Sequence, residues 1–440
     1  MSNTFLIIAE LDDYLKSIKR HYSFTKGFGI AQGLTKIKSI NEVYYLTKGK
    51  SIEYNNVNLI NVDEIDQNFM NKITNIILVR EHNIIDILEI NEVIKNTILN
   101  KNKTQNLIMK SDAIEWLWDK RYIKMFKTNY EEDWYDFIIN NFNHICCQTE
   151  EYKNQSLHLI KSRILNKSEE FYNKLYEKII SSRMGVNNIN PYENKTIINP
   201  YTVNHEYCID NGRSLNEELA LTPLCYTAKN YKYSKDKQKI NFNRTKTILI
   251  YMGRLKTDQG KILYTLRDIM NKLGDSYELH MFPGRFVIPT CPVSVFSNKY
   301  GENLQIMRDI IFHSCTNVII HYPFNNETQY KYLYNGHIGI DFSSTRPHNK
   351  KTLQGNAKLL EYCYYGLKVV TEKNVINSNL VTEANNGILL DNIGTVDDYV
   401  CAIKNVENLK IDKNKIINKT IENHNWDIIA LELFNKIMNI

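Results

Sequence analysis

The densest run of chemistry-bearing residues is N-A-K-L-L-E-Y-C-Y-Y-G-L-K-V-V-T at Asn356 to Thr371, with N-N-G-I-L-L-D at Asn385 to Asp391 behind it. Asn356 is a good N-cap, Leu359, Leu360 and Cys363 recur at helical spacing, and Gly366 stands where a left-handed residue would end a helix. A short β-rich run, Leu367 to Thr371, follows. Loop, helix and buried strand in that order are half of a βαβ crossover. Such a helix offers free backbone N–H groups and a positive dipole end, which suit an anion. Glu361, a turn and a half inside, would reach sugar hydroxyls beside that anion. On spacing alone the plainer reading also stands, a surface helix with one solvated charge.

A second constellation lies at Met252 to Lys261, M-G-R-L-K-T-D-Q-G-K, after a strand expected to end at Tyr251. Arg254, Lys256 and Lys261 put three cations around one strand-to-helix turn. Guanidinium can grip phosphate oxygens bidentately and ammonium adds a point charge, so the group suits a diphosphate; Lys256 alone reads better as solvated surface. In the N-terminal half, Lys26 to Ala31 (K-G-F-G-I-A) precedes an expected first helix, and Gly29 with Gly27 reads equally as a tight turn or as a ligand contact. Asp112 and His82 follow expected strands; on spacing alone Asp112 reads as a helix cap and His82 as a structural histidine.

The elements that must position these residues form two series. Apolar runs at Thr4–Ala9, Glu42–Thr47, Val57–Val62, Asn75–Val79, Asn106–Met109 and His144–Cys147 are separated by helix-length polar stretches, which predicts a parallel, doubly wound sheet. Thr196–Asn199 would be its last strand. Tyr201 to Arg244 shows no clear period and reads as linker or insertion. A second series follows: Lys246–Tyr251, Glu278–Phe282, Asn317–His321, Ile338–Phe342, Leu367–Thr371 and Gly387–Leu390, with helices at Lys261–Leu273 and Asn303–Phe312. The expectation is two α/β domains in tandem, binding ligands beyond the carboxyl ends of the strands and in the cleft between domains.

Size and charge agree. A chain of 440 residues needs more than one core. Fifty-five Lys and Arg against 49 Asp and Glu give +6 with no long basic run, which argues against nucleic acid and leaves room for a small anionic ligand. The eight cysteines show no metal-finger spacing and read as reduced thiols of a cytoplasmic protein. Thr4–Ala9 is too short for a signal peptide, and no run is long enough to span a bilayer. The aromatic stretch Trp116 to Trp134 reads as core, as an acceptor platform, or as a face resting on a membrane.

Taken in order, these landmarks resemble the GT-B glycosyltransferases, most closely the retaining family 4 group. Gly253-Arg254 matches the family's G-R after the first strand of the C-terminal domain, although Gln259 stands where its lysine is expected. His280 to Gly284 follows the family's strand ending in glycine. Glu361, Gly366, Val369 and Val370 match the second half of its paired acidic motif, while Leu353 occupies the first acidic position. Asn386 to Leu390 matches its n-G-l-L-v stretch, with Asn379 where a glutamate is usual, and Asn425-Trp426-Asp427 matches its terminal helix.

The resemblance implies an N-terminal acceptor domain at residues 1–200, a linker and C-terminal nucleotide-sugar domain at 201–424, and a helix at 425–440 crossing back onto the N-terminal domain. It implies a nucleotide-diphosphate sugar as donor and a glycan, lipid-linked or protein acceptor, with Asp112 and His82 as the candidate catalytic groups toward the acceptor hydroxyl. Arg254 would bind the diphosphate with help from Lys261, Glu361 the ribose, and the N–H groups of Asn356 and Ala357 the distal phosphate. Without a D-x-D pair, transfer would need no metal or other cofactor. A catalytically silent GT-B module and a GT-B sugar-nucleotide epimerase would use the same donor site, whereas the G-x-G-x-x-G constellation of a dehydrogenase is absent from the sequence.

Overall fold

The structure is a computed structural model that describes residues 3–9, 22–79, 91–100, 104–112, 114–129, 133–193, 195, 202–210, 231–255, 260–286, 311–321, 329–342, 357–391 and 394–439. The chain folds as two compact units, the first formed by Met1–Asn188 with His424–Ile440 and the second by Ile189–Asn423.

The first unit is built on strands β1 (Asn3–Ile8), β2 (Ile40–Thr47), β3 (Ile52–Tyr54), β4 (Val57–Asn61), β5 (Asn75–Val79), β6 (Asn106–Lys110), β7 (His144–Cys147) and β8 (Ile179–Ser181), in the order β3-β4-β2-β1-β5-β6-β7-β8. Neighbours are parallel except β3 and β4. That hairpin turns on Asn55 and Asn56, both at positive φ, the conformation a two-residue turn between twisted strands demands. Parallel strands covered on both faces need near-continuous apolar runs, and β1 and β5 supply them: Phe5 to Ile8 and Ile76 to Val79 are fully buried. The order reverses between β1 and β5, so the ligand crevice expected of such a sheet lies beyond the carboxyl ends there.

One face of this sheet is covered by the helix Tyr22–Thr35 and by the C-terminal helix Trp426–Met438, which crosses back to the N-terminal domain. Asn425 caps the second helix by accepting from Ile428 N–H, and a bridge from Val186 to Asn425 leads the chain in. The approach is close because the contact positions are glycines. A Cβ on Gly29 would sit 2.3 Å from the Trp426 ring, one on Gly33 2.4 Å from the Trp426 carbonyl, and one on Gly185 2.5 Å from the same indole. The expected turn before the first helix is therefore corrected: Gly27 and Gly29 lie inside that helix.

The aromatic stretch resolves as core. Trp134 is fully buried, Trp116 nearly so, and their rings meet edge to face at 6.0 Å. These two side chains therefore belong to the core. Among the described residues no helix is long and apolar enough to cross a membrane.

The second unit opens with an antiparallel pair, β9 (Thr202–Asp210) and β10 (Tyr231–Asn241), in the stretch whose sequence shows no period. Its parallel sheet comprises β11 (Thr247–Leu255), β12 (Tyr277–Phe286), β13 (Val318–Ile320), β14 (Ile338–Asp341), β15 (Lys368–Glu372) and β16 (Gly387–Leu390), ordered β13-β12-β11-β14-β15-β16. The order reverses between β11 and β14. The helix Gly260–Leu273 packs with Val396–Glu407 over a core containing Leu249, Leu266, Ile340 and Val370. The expected strand Thr196–Asn199 and most of the expected helix Asn303–Phe312 lie outside the described residues.

Candidate functional site

In the second unit the switch between β11 and β14 is held open by one phenol. The strands pair at Leu249–Ile338 and Ile250–Gly339. Just beyond, Met252 N–H donates to Tyr362 Oη at 2.9 Å, and that hydroxyl donates to the Ile340 carbonyl at 3.4 Å. Tyr362 belongs to the helix Ala357–Tyr364, and its ring lies where a Cβ on Gly339 would be, 2.4 Å away. The helix is thereby pinned on the crevice between the diverging strands.

Its end is fixed as the sequence implies. Gly366 takes φ +74°, Gly366 N–H donates to the Cys363 carbonyl and Leu367 N–H to the Tyr362 carbonyl, both at 2.9 Å. Ala357 is the first helical residue, and Asn356 lies outside the described residues.

Glu361, on the same helix, is half-buried. Among the described residues its carboxylate has one side-chain partner, Gln329 Nε2 at 3.1 Å, from the start of the helix Gln329–Asn335. Burial pushes its carboxyl up to about 7, and the Gln329 hydrogen bond only partly opposes this. A carboxylate so poorly solvated is suited to accept hydrogen bonds from hydroxyls of a bound molecule.

The same helix and the strands beside it carry a polar network the sequence reading missed. Lys358, beside the helix start, is 8% exposed and pairs with the fully buried Asp341 at 3.1 Å. Its ammonium also lies 4.7 Å from the centre of the Tyr251 ring on β11. Thr371 Oγ1 donates to Asp341 at 3.1 Å, and Asn377 Nδ2 donates to Thr371 at 3.0 Å. The available signal was an aspartate ending the strand I-G-I-D and a lysine four positions before Tyr362, on that residue's face.

Arg254 is placed differently from expectation. β11 runs on to Leu255, so Gly253-Arg254 ends a strand rather than forming a turn, and the register with β12 shifts between Gly253 and Leu255. Lys261 is the second residue of the helix Gly260–Leu273. Arg254 thus stands at the carboxyl end of β11, Lys261 opens the helix that follows it, and Ala357 and Glu361 lie on the helix that follows β14.

A cavity of about 610 Å³ lies at the opposite, amino ends of β11, β14 and β15. Its cations are engaged: Lys368 donates to the Glu407 carbonyl at 2.6 Å, and Lys413 to those of Leu333 and Tyr334.

In the first unit Asp112 follows β6 and does not cap the next helical turn, whose cap position is Ile114. The capping reading is corrected. Asp112 Oδ1 accepts from Lys26 Nζ at 2.5 Å, with the lysine side chain 2% exposed and the carboxylate 40% exposed. Gly29 is packed against Trp426 and its N–H lies within a helix, so it offers no surface to a ligand. His82 lies outside the described residues. Among the described residues no three His, Cys, Asp or Glu side chains converge as metal ligands do.

No protein-family model matches the sequence, and no curated protein matches it. Solved structures do. A sucrose-phosphate synthase from Thermosynechococcus elongatus is 10% identical over 99% of this chain and 98% of its own, with a TM-score of 0.54. An α,α-trehalose 6-phosphate synthase from Burkholderia multivorans is 9% identical over 100% and 99%, with a TM-score of 0.55. HepE of Anabaena, in complex with UDP, is 9% identical over all of both chains, with a TM-score of 0.53. At such identity the likeness establishes the fold, which is GT-B over the full length.

Proposed function

We propose that this chain is a glycosyltransferase that moves a sugar from a nucleotide-diphosphate sugar to an acceptor hydroxyl, without a metal and with retention, in the manner of family 4. The observation that carries the reading is Glu361: a half-buried carboxylate with one side-chain partner among the described residues, one turn into a helix pinned at the switch point of the second sheet. A ribose offers the paired hydroxyls such a group lacks. That HepE holds UDP in the same fold supports the nucleotide as donor carrier.

In this mechanism the departing nucleoside diphosphate gathers negative charge as its bond to the sugar breaks. Arg254, Lys261 and the N–H groups at the start of the helix Ala357–Tyr364 would stabilise it by fixed electrostatics. Asp112 would orient the acceptor, its own position set by Lys26.

Thermal unfolding with UDP, GDP and ADP tests the site. One of them should raise the melting temperature of the parent chain, and Glu361→Ala and Arg254→Ala should blunt that rise. If no nucleotide does so, or if both variants respond as the parent does, the donor site is wrong. Release of nucleoside diphosphate from a donor panel then separates turnover from the silent module that Leu353, in place of an acid, would favour.

A further inference from the structure

The cavity at the amino ends of β11, β14 and β15 belongs wholly to the second unit, and every residue lining it is among those described. Its volume, about 610 Å³, falls in the range of small-molecule sites. Three cations of the lining, Arg244, Lys368 and Lys413, stand against one carboxylate, Glu407.

The strand starts bring the basic groups together. Lys368 N–H donates to the His337 carbonyl at 3.1 Å, and Lys413 Nζ to the carbonyl of Tyr334, three residues before His337, at 2.8 Å. Both lysines meet only neutral acceptors among the described residues. An ammonium has three N–H donors. Lys368 uses one, on the Glu407 carbonyl at 2.6 Å; Lys413 uses two, the second on the Leu333 carbonyl at 3.3 Å. The Glu407 carboxylate is itself taken up by hydroxyls, Thr247 on one oxygen and Tyr277 on the other. The rings of Tyr192 and Tyr334, centred 5.1 and 5.2 Å from the Lys413 ammonium, soften its charge without neutralising it. Burial accordingly lowers the Lys413 pKa to about 7, as expected of a buried ammonium with no counter-ion.

His337 adds a donor. Its Nδ1 accepts from Ile248 N–H at 2.8 Å, so the proton of the neutral ring resides on Nε2. Burial and the two lysine charges hold its pKa below the ordinary histidine value, which keeps that tautomer at physiological pH. The lining also includes Phe242, stacked on His280 at 4.4 Å, and Ile411, so an occupant meets apolar surface as well as charge.

We infer that this cavity binds a small organic anion, its carboxylate or phosphate end group held by Lys368, Lys413 and His337 Nε2–H and its apolar body lying against Phe242 and Ile411. The end group would fill vacant donors and supply the counter-charge the lysines lack. The site is separate from that of Glu361, which lies on the helix following the carboxyl end of β14. Gly366, just past the end of that helix, lines the cavity, and a Cβ on it would lie 2.4 Å from Lys413 Cγ, so the lysine stem is set in place before any anion arrives. The inference does not rest on the glycosyltransferase reading.

The test is calorimetric titration of the full chain with phenyl phosphate and benzoate, with phenol as the uncharged control. At least one of the two anions should bind, the tighter identifying the end group, and phenol should bind at least about tenfold more weakly. Lys368→Met and Lys413→Met should each weaken the anion about tenfold, Lys368→Arg should retain it, and Arg254→Ala should leave it unchanged. Thermal unfolding of each variant separates lost binding from lost fold, and the partly exposed Lys368 decides alone if Lys413→Met does not fold.

Failure of both anions to bind overturns the site, as does phenol binding as tightly as they do. Affinity undiminished in folded Lys368→Met, or lost in Arg254→Ala, places the anion elsewhere and overturns it equally.

Discussion

Glu361, the proposed ribose contact, is held at a cost to stability. Its folded-state proton affinity, about 7, lies above the ordinary 4.5 of an unfolded glutamate. Between those values the folded chain holds the extra proton, so stability falls as pH rises through the window, and the penalty is complete above about 7. Glu361→Gln should therefore stabilise the ligand-free chain by about 1–2 kcal/mol at pH 8, solvent contact having reduced the nominal linkage, with the gain vanishing toward pH 5. Denaturant melts at the two pH values check this, and a gain independent of pH would refute it. The same variant should bind the stabilising nucleotide roughly tenfold more weakly, the usual opposition of stability and site function.

At the scale of elements, the helix Ala357–Tyr364 depends on one hydroxyl. Where β11 and β14 part, Met252 N–H has lost its strand partner and Tyr362 Oη replaces it. Tyr362→Phe keeps the ring against Gly339 but leaves that buried N–H unsatisfied, at a cost of about 1–3 kcal/mol. Because the helix is seated by this bond, nucleotide affinity should drop together with the melting temperature; a variant that melts like the parent would show that the phenol does not seat it. The helix and its C-terminal glycine were legible from spacing, since capping and periodicity are local properties. The hydroxyl's partner was not, because Met252 and Tyr362 are 110 residues apart in sequence.

At the scale of the molecule, the first unit is discontinuous: its core needs residues from both ends of the chain. Trp426, Ile429, Leu433 and Phe434 complete the cluster over β1, β2 and β5, with Arg183 held to Glu432 at 2.6 Å. Removing residues 424–440 should unfold the first unit while the second retains a cooperative transition. Limited proteolysis with mass spectrometry would then recover a resistant fragment near residues 189–423. Equal protection of residues 1–188 with and without the terminal helix would contradict this. The fold class was readable because buried parallel strands must be apolar throughout, which marks each strand in the sequence. The two-stranded pair β9–β10 was not, since its residues carry no such period.

The sequence by itself determined the alternation of strands and helices, the glycine that ends the helix Ala357–Tyr364, and the placing of Ala357 and Glu361 on the helix that follows β14. These follow from short-range rules: side-chain period, backbone freedom and capping. Only the tertiary structure decided that Gly29 serves Trp426 rather than a ligand, that Lys358 is sunk against Asp341, and that Asp112 answers to Lys26. The reason is physical. What a charge or a missing Cβ does depends on which distant group shares its space, and burial sets the strength of that pairing.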